Sequence, residues 1–253
     1  DLAQSEASLA GAEAKLIAAQ NNLISSKANF EKIVGKKFTG NIQDIKFTGF
    51  RLPQSLAEAY KISENENPDL KIAMLEHMKS VEDVRIAKSE LAPSATLSYK
   101  LAEQDNFSST VQERKQQTLK ATATWPLYSG GSNLSSLRKA KELENKYDLL
   151  LQYSRKTVNT AVANAWTSYQ SSKSVMNSIG SQVKAAEIAN EGITSEYESG
   201  GSNRTTLDVI QSRSILLDAK INLATSERNF LVSQFSLLSA VGRLTSKQLN
   251  LNQ

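Results

Sequence analysis

The sequence predicts a mainly α chain that carries one β-hairpin, with its long helices paired antiparallel as a coiled coil. Three observations predict this. All four prolines, Pro53, Pro68, Pro93 and Pro126, lie in one central stretch, so residues 1–52 and 127–253 lack the residue that helix interiors exclude. From Ser132 to about Glu198 apolar residues recur at steps of three and four, the period of a coiled coil. Residues 95–101 and 118–125 alternate between apolar and polar, the pattern of strands with two unlike faces.

In chain order, residues 1–35 form a helix. A linker over 36–68 holds a short helix, Pro53–Tyr60, broken by Asn65-Glu-Asn-Pro68. The helix over 69–91 has Leu70, Ile72, Ala73, Leu75, Met78, Val81, Val84 and Ile86 as apolar positions and stops before Pro93. A β-hairpin region over 92–128 follows, with polar Glu103–Gln117 as its loop and Asp105–Ser109 as the loop tip. A long helical hairpin occupies 129–241. Its first helix carries Leu134, Leu137, Leu143, Tyr147, Leu150, Val158, Val162, Ala165 and Tyr169. The seam continues through Met176, Ile179, Val183, Ala186, Asn190, Ile193 and Tyr197, broken only by Asn190. At ~1.5 Å per residue such a helix is a rod of ~100 Å, too long for a compact domain. A glycine turn, Ser199–Asn203, ends it. Thr205 or Thr206 caps the next helix, with Asp208 favourable in its first turn. That helix bears a stripe of Leu207, Ile210, Leu217, Ile221, Leu231, Phe235 and Leu238 and ends at Gly242, where a tail over 242–253 begins.

Composition excludes several functions. The 253 residues include no Cys and one His, which removes disulfides, thiolate metal sites and His-based triads. A net charge of +4, dispersed along the chain, leaves no nucleic-acid footprint. No apolar run reaches the ~18–20 residues of a spanning helix, and the start, Asp1-Leu-Ala-Gln-Ser5, does not read as a signal peptide. No phosphate-binding loop, dinucleotide fingerprint, zinc-protease motif or nucleophile elbow is present. Glu142, Glu144 and Asp148 lack convergent partners, and His77 reads as a helix-surface residue. No catalytic residue, metal site or cofactor is therefore expected.

An internal repeat is visible. Residues 1–35 match 208–242 at a constant offset of 207, with ten identities that include Asp1/Asp208, Gln4/Gln211, Ser5/Ser212, Ala12/Ala219, Ser26/Ser233 and Gly35/Gly242. On this reading the chain begins inside a first copy and continues through a second. The helices over 69–91 and 204–241 together nearly equal the long helix, so they fit end to end beside it.

The alternating strands admit two readings. They form either a hairpin packed on helices or part of a transmembrane β-barrel, with apolar residues toward lipid and Lys100, Lys120, Thr122 and Thr124 toward a wet lumen. Two strands cannot close a barrel, so the second reading requires further strands from other copies.

Trp125-Pro-Leu-Tyr-Ser-Gly-Gly131 resembles the strand-to-helix junction of TolC-type outer-membrane efflux proteins, the outer-membrane factors. Tyr197, its glycine turn and Arg204-Thr-Thr-Leu-Asp-Val209 resemble that family's periplasmic tip. Asn67-Pro-Asp-Leu70 and Leu91-Ala-Pro-Ser94 resemble the family's approaches to the strand-preceding helix and the first strand. The likeness covers most of residues 54–242, with 1–35 as the last helix of a first repeat. It implies a TolC-like fold: an α-barrel hairpin plus two strands of a transmembrane β-barrel. It implies a homotrimer in the outer membrane of a Gram-negative bacterium, with its helical part in the periplasm. Such a trimer is a passive conduit for efflux or type I secretion, coupled to an inner-membrane transporter through a periplasmic adaptor protein. By position, Tyr197, Arg204, Asp208, Gln211 and Asp1 fall on the tip or gating network, Gly200 and Gly201 on the tip turn, and Gly130 and Gly131 on the strand-helix turn. Trp125, Tyr128 and Tyr99 fall at the membrane interface.

Two departures stand out: the tip turn is longer than usual, and Gln211 stands where the common pattern carries an acidic residue, which leaves no acidic cation-binding ring there. A chain starting at Asp1 would also lack half the barrel strands and one long helix. The alternative function is a soluble coiled-coil adaptor or scaffold that binds partners through its helical hairpin. The apolar strand face separates the two, because a scaffold must bury it on helices and a channel leaves it for lipid.

Overall fold

Local sequence accounts for the element boundaries in the computed structural model, which describes residues 2–40, 51–108, 110–200 and 204–246. The order is α1 (Leu2–Val34), α2 (Leu56–Glu66), α3 (Pro68–Ser89), β1 (Ser94–Ser108), β2 (Val111–Thr124), α4 (Ser132–Glu198) and α5 (Thr206–Val241). Ser55 caps α2 by accepting the Glu58 N–H at 3.1 Å. The break expected over 65–68 narrows to Asn67, whose Oδ1 accepts the N–H groups of Asp69 and Leu70. Pro68 opens α3, where its missing N–H costs nothing. Gly35 and Gly242 follow α1 and α5 with φ of 75° and 85°, so the two helices related by the 207-residue offset end in the same way.

The chain divides into two units. One holds α1, α4 from Asn164 onward and α5 as far as Ser239. Here α4 and α5 run antiparallel, since Ser172 bonds Ser233 at 2.7 Å, Glu187 pairs with Lys220 at 2.9 Å and Asn190 accepts from Ser212 at 3.1 Å. Tyr169 stacks on Phe230 with centroids 5.7 Å apart. The buried line of α5 passes through Val209, Ser212, Ala219, Ser226, Ser233 and Leu237. Of the predicted stripe Leu238 is buried and Leu207, Ile210, Leu231 and Phe235 are half-buried, whereas Leu217 and Ile221 stay about half exposed and border a groove beside α1. Side-chain size at the contact sets the distance between helix axes, and a seven-residue series of Ser and Ala lets α5 lie close to α4. Asn190, which breaks the predicted apolar seam of α4, accepts the Ser212 hydroxyl on Oδ1. Among its described residues α1 buries none, and a Lys15–Asp218 ion pair of 2.6 Å ties it to α5. The offset places Ser5, Ala12, Ala19 and Ser26 of α1 at the positions of the small series.

The other unit holds α2, α3, the strands, α4 as far as Ala163, and Ala240–Arg243. α3 buries Leu70, Ala73, Ser80, Val84 and Ala87. Ile72, Leu75, Met78 and Ile86, predicted on its apolar side, are more than half exposed, and Leu134, Leu143 and Leu150 on α4 are also exposed, though less so. Small residues again replace large ones at the seam. His77, predicted at the surface, is half-buried, with Nδ1 enclosed and without a hydrogen-bond partner. The start of α4 meets the end of α3 where Asn133 Nδ2 donates to the Glu90 carbonyl at 3.1 Å. At the opposite end of α3, Asn67 Nδ2 donates to the Ala240 carbonyl at 2.9 Å.

The strands pair antiparallel from Ser94↔Thr124 to Asp105↔Glu113, with an irregularity before Ser108↔Val111. The predicted loop over 103–117 is therefore mostly strand. Its polar residues pair across the ladder, with Lys115 Nζ 2.6 Å from Glu103 Oε1. Such pairs stabilise a sheet without any apolar alternation to mark it in the sequence.

Candidate functional site

Two regions collect the residues singled out by sequence. The first is the turn between α4 and α5. The Ser199 N–H donates to the Ser195 carbonyl and the Gly200 N–H to that of Tyr197, with Gly200 at φ 65°, a left-handed helix end. Gly201 and Asp1 lie outside the described residues. Across the turn, Thr205 and Asp208 cap α5 reciprocally. The Thr205 N–H and hydroxyl donate to Asp208 Oδ2 at 2.8 and 3.0 Å, and the Asp208 N–H donates to Thr205 Oγ1 at 3.3 Å. The Thr205 donors hold the Asp208 carboxyl below the usual range.

Arg204 lies four residues before Asp208 in the sequence. It precedes the cap, so no helical turn links the two, and its Nε donates to Glu196 Oε2 at 2.8 Å. Glu196 raises the Arg204 guanidinium further above its ordinary value. Tyr197 shares a 3.0 Å hydrogen bond with the Thr206 hydroxyl. Gln211 is exposed one turn along α5 and borders, with Asp208, a shallow depression against Ala186, Ala189 and Ile193. The structure thus gathers Tyr197, Arg204, Asp208 and Gln211 at one end of the hairpin. Glu196 and Thr206, the partners that sequence reasoning missed, bridge the turn, and no spacing rule marks such contacts.

The second region is the hairpin and its junction with α4. Gly130 and Gly131 adopt φ of 61° and 84°, a conformation that favours glycine, and the Gly131 carbonyl accepts the Ser135 N–H as α4 begins. Trp125 donates its indole N–H to the Leu91 carbonyl at 3.3 Å. Trp125 and Tyr128 stand exposed together at this end. Tyr99 is apart from them: it opposes Leu119 five positions along β1 from Ser94, a distance of ~17 Å at ~3.4 Å per residue. Register and pleat place Ala95, Leu97, Tyr99 and Leu101 with Leu119, Ala121 and Ala123 on one face. Thr96, Ser98, Lys100, Thr118, Lys120 and Thr122 share the other. Leu97, Tyr99, Leu101 and Leu119 are 59–72% exposed, so no described helix covers the apolar face. No described helix is long and apolar enough to cross a membrane. Among the described residues no group of His, Asp or Glu is placed to hold a metal ion.

An apolar sheet face left exposed opposite a polar one is the pattern of strands in a transmembrane β-barrel, here joined to a long antiparallel helical hairpin. The sequence profile described as outer membrane efflux protein matches residues 59–243, most of the chain, and the chain belongs to that family. It is 26% identical to the outer membrane efflux protein BepC of Brucella suis biovar 1 (strain 1330), over 99% of this chain and 54% of that protein. It is 24% identical to the outer membrane protein TolC of Escherichia coli (strain K12), over 78% of this chain and 42% of that protein. The chain therefore spans about half the length of these relatives. Its fold resembles the open state of the Neisseria gonorrhoeae MtrE outer membrane channel, with a TM-score of 0.74 at 15% identity over 92% of this chain and 53% of that one. It also resembles the outer membrane protein VceC of Vibrio cholerae, with a TM-score of 0.72 at 21% identity over 95% and 57%. The family's place is the outer membrane of Gram-negative bacteria.

Proposed function

We propose that this chain is part of a homotrimeric outer-membrane conduit that passes solutes or proteins passively, in efflux or type I secretion. An inner-membrane transporter drives the flow through a periplasmic adaptor protein. The uncovered apolar face of the hairpin carries this reading. Four large side chains left in water cost several kcal/mol relative to burial, and lipid removes that cost when the barrel is closed by strands of other copies. A soluble adaptor or scaffold would have to cover the same face with its own helices, and none of the described helices does so.

Residues 92–128 are then the membrane hairpin, 129–241 the helical hairpin reaching into the periplasm, and 36–68 the region at the helical junction. Residues 1–35 close a first repeat, 69–91 precede the strands, and 242–253 form a tail. Trp125 and Tyr128 suit a membrane interface, where a ring with one polar edge is stable. Tyr197, Arg204, Asp208 and Gln211 serve the periplasmic gate, where short exposed contacts can exchange between neighbouring hairpins at little cost.

The test is the mass of the full-length protein by size-exclusion chromatography with light scattering, with and without mild detergent. A trimer that requires detergent is the expected result. A monomer that stays soluble without detergent would overturn the proposal.

A further inference from the structure

Charge on the hairpin is sorted by face. All three carboxylates between residues 94 and 124, Glu103, Asp105 and Glu113, occupy odd positions, as does Lys115. The register pairs odd with odd and even with even, so these four share the face that carries Leu97 and Leu119, toward its far end. Lys100, Arg114 and Lys120 lie on the even face, which holds no carboxylate. Lys120 opposes Ser98 and Lys100 opposes Thr118, so the two lysines are diagonal neighbours, a separation of ~7–8 Å between backbones.

Like charges held that close are unfavourable unless water surrounds them. In lipid each would cost ~2–4 kcal/mol near the bilayer midplane. The even face must therefore be the wet one. We infer that Lys100 and Lys120 give the outer-membrane end of the conduit a cationic ring that favours small anionic solutes over cations of equal size; this rests on the conduit reading above. Unscreened charge of one sign inside low-dielectric walls concentrates counter-ions. In a symmetric assembly each copy adds its own lysines to the same level of the lumen. Thr96, Thr118 and Thr122 on the same face supply hydroxyls and no opposing charge.

The test is the chloride-to-potassium permeability ratio of the full-length protein in planar bilayers under a KCl gradient. The wild type is expected to pass chloride in preference to potassium. Lys100→Gln with Lys120→Gln should lower the ratio by about two-fold or more, whereas Lys100→Arg with Lys120→Arg should preserve it. Lys115→Gln, on the opposite face, should leave it unchanged. Conducting channels whose ratio ignores the glutamine pair would overturn the inference and leave the conduit reading intact. Protein that inserts and never conducts, even with Arg204→Ala and Tyr197→Phe at the tip, would overturn both.

Discussion

Arg243 grips Glu66 with two hydrogen bonds, Nε to Oε2 at 2.8 Å and Nη2 to Oε1 at 2.6 Å, and so locks the end of α5 against the α2–α3 junction. A bidentate guanidinium–carboxylate pair fixes orientation as well as distance. The Arg243 guanidinium holds the Glu66 carboxyl below the usual carboxylate range, and Glu66 raises Arg243 in turn. The pair lies beside Asn67, which caps α3 with Oδ1 and bonds the Ala240 carbonyl with Nδ2. One short segment therefore joins three helix ends.

Replacing Glu66 by Gln should cost about 1 kcal/mol, reduced from the value of a buried pair because Glu66 is partly exposed. Its pKa is depressed in the folded chain, so the stabilisation is complete above ~4.3, the ordinary glutamate value. It disappears as pH falls through the lower folded pKa. Thermal unfolding of wild type and Glu66→Gln should differ at neutral pH and converge in strong acid.

Gly242 shows where a side chain cannot be added. Its φ is 85°, and a Cβ would stand 2.6 Å from the Glu66 carbonyl oxygen and 2.7 Å from Asn67 Cα, both backbone atoms. Gly242→Ala should destabilise by more than ~2 kcal/mol, from left-handed strain and overlap together. Gly180, inside α4 with nothing within 4 Å, is the contrast: Gly180→Ala should stabilise by up to ~1 kcal/mol. Urea unfolding of both variants measures the difference.

The small series on α5 makes a third prediction. Ser233 is buried and bonded to Ser172 across the α4–α5 seam. Ser233→Leu should cost ~1–3 kcal/mol by forcing the helices apart. Leu217→Ser, on the exposed side, should leave the folded monomer's stability nearly unchanged. Denaturant midpoints at equal slope decide it.

At the tip, Arg204→Ala removes the ion pair with Glu196 and Tyr197→Phe removes the hydrogen bond with Thr206. Both contacts are exposed, so the unfolding temperature should not move, while resting conductance in bilayers should rise if the tip is the gate. The Asp208 carboxyl, held ionised by Thr205, keeps its cap through mildly acidic pH and loses it only as pH falls below the usual carboxylate range.

How far the sequence was legible depended on which signal each element used. α4 ran from Ser132 to Glu198 as read, because a seam of alternating steps over so many residues has no other periodic interpretation. The reciprocal cap of Thr205 and Asp208 was visible in part from residue type and spacing. The strands outran their predicted ends because Glu103 and Lys115 pair by charge rather than by apolar alternation. The α5 stripe was misplaced at two positions, because hydrophobicity favours Leu217 and Ile221, whereas close packing favours Ser212, Ala219, Ser226 and Ser233. Arg204 and Glu196 meet across a turn, a contact that depends on how the helices close and not on any local pattern.

These 253 residues contain no cysteine, so a cysteine introduced at one position is a unique label among them. The measurement is labelling of single cysteines, introduced in turn at residues 96 to 101, by a charged thiol reagent applied to intact outer membranes containing the full-length protein. The account predicts a period of two: reaction at 96, 98 and 100 from the aqueous lumen, and protection by lipid at 97, 99 and 101. Uniform reaction at all six positions, or protection of the even ones, would contradict it.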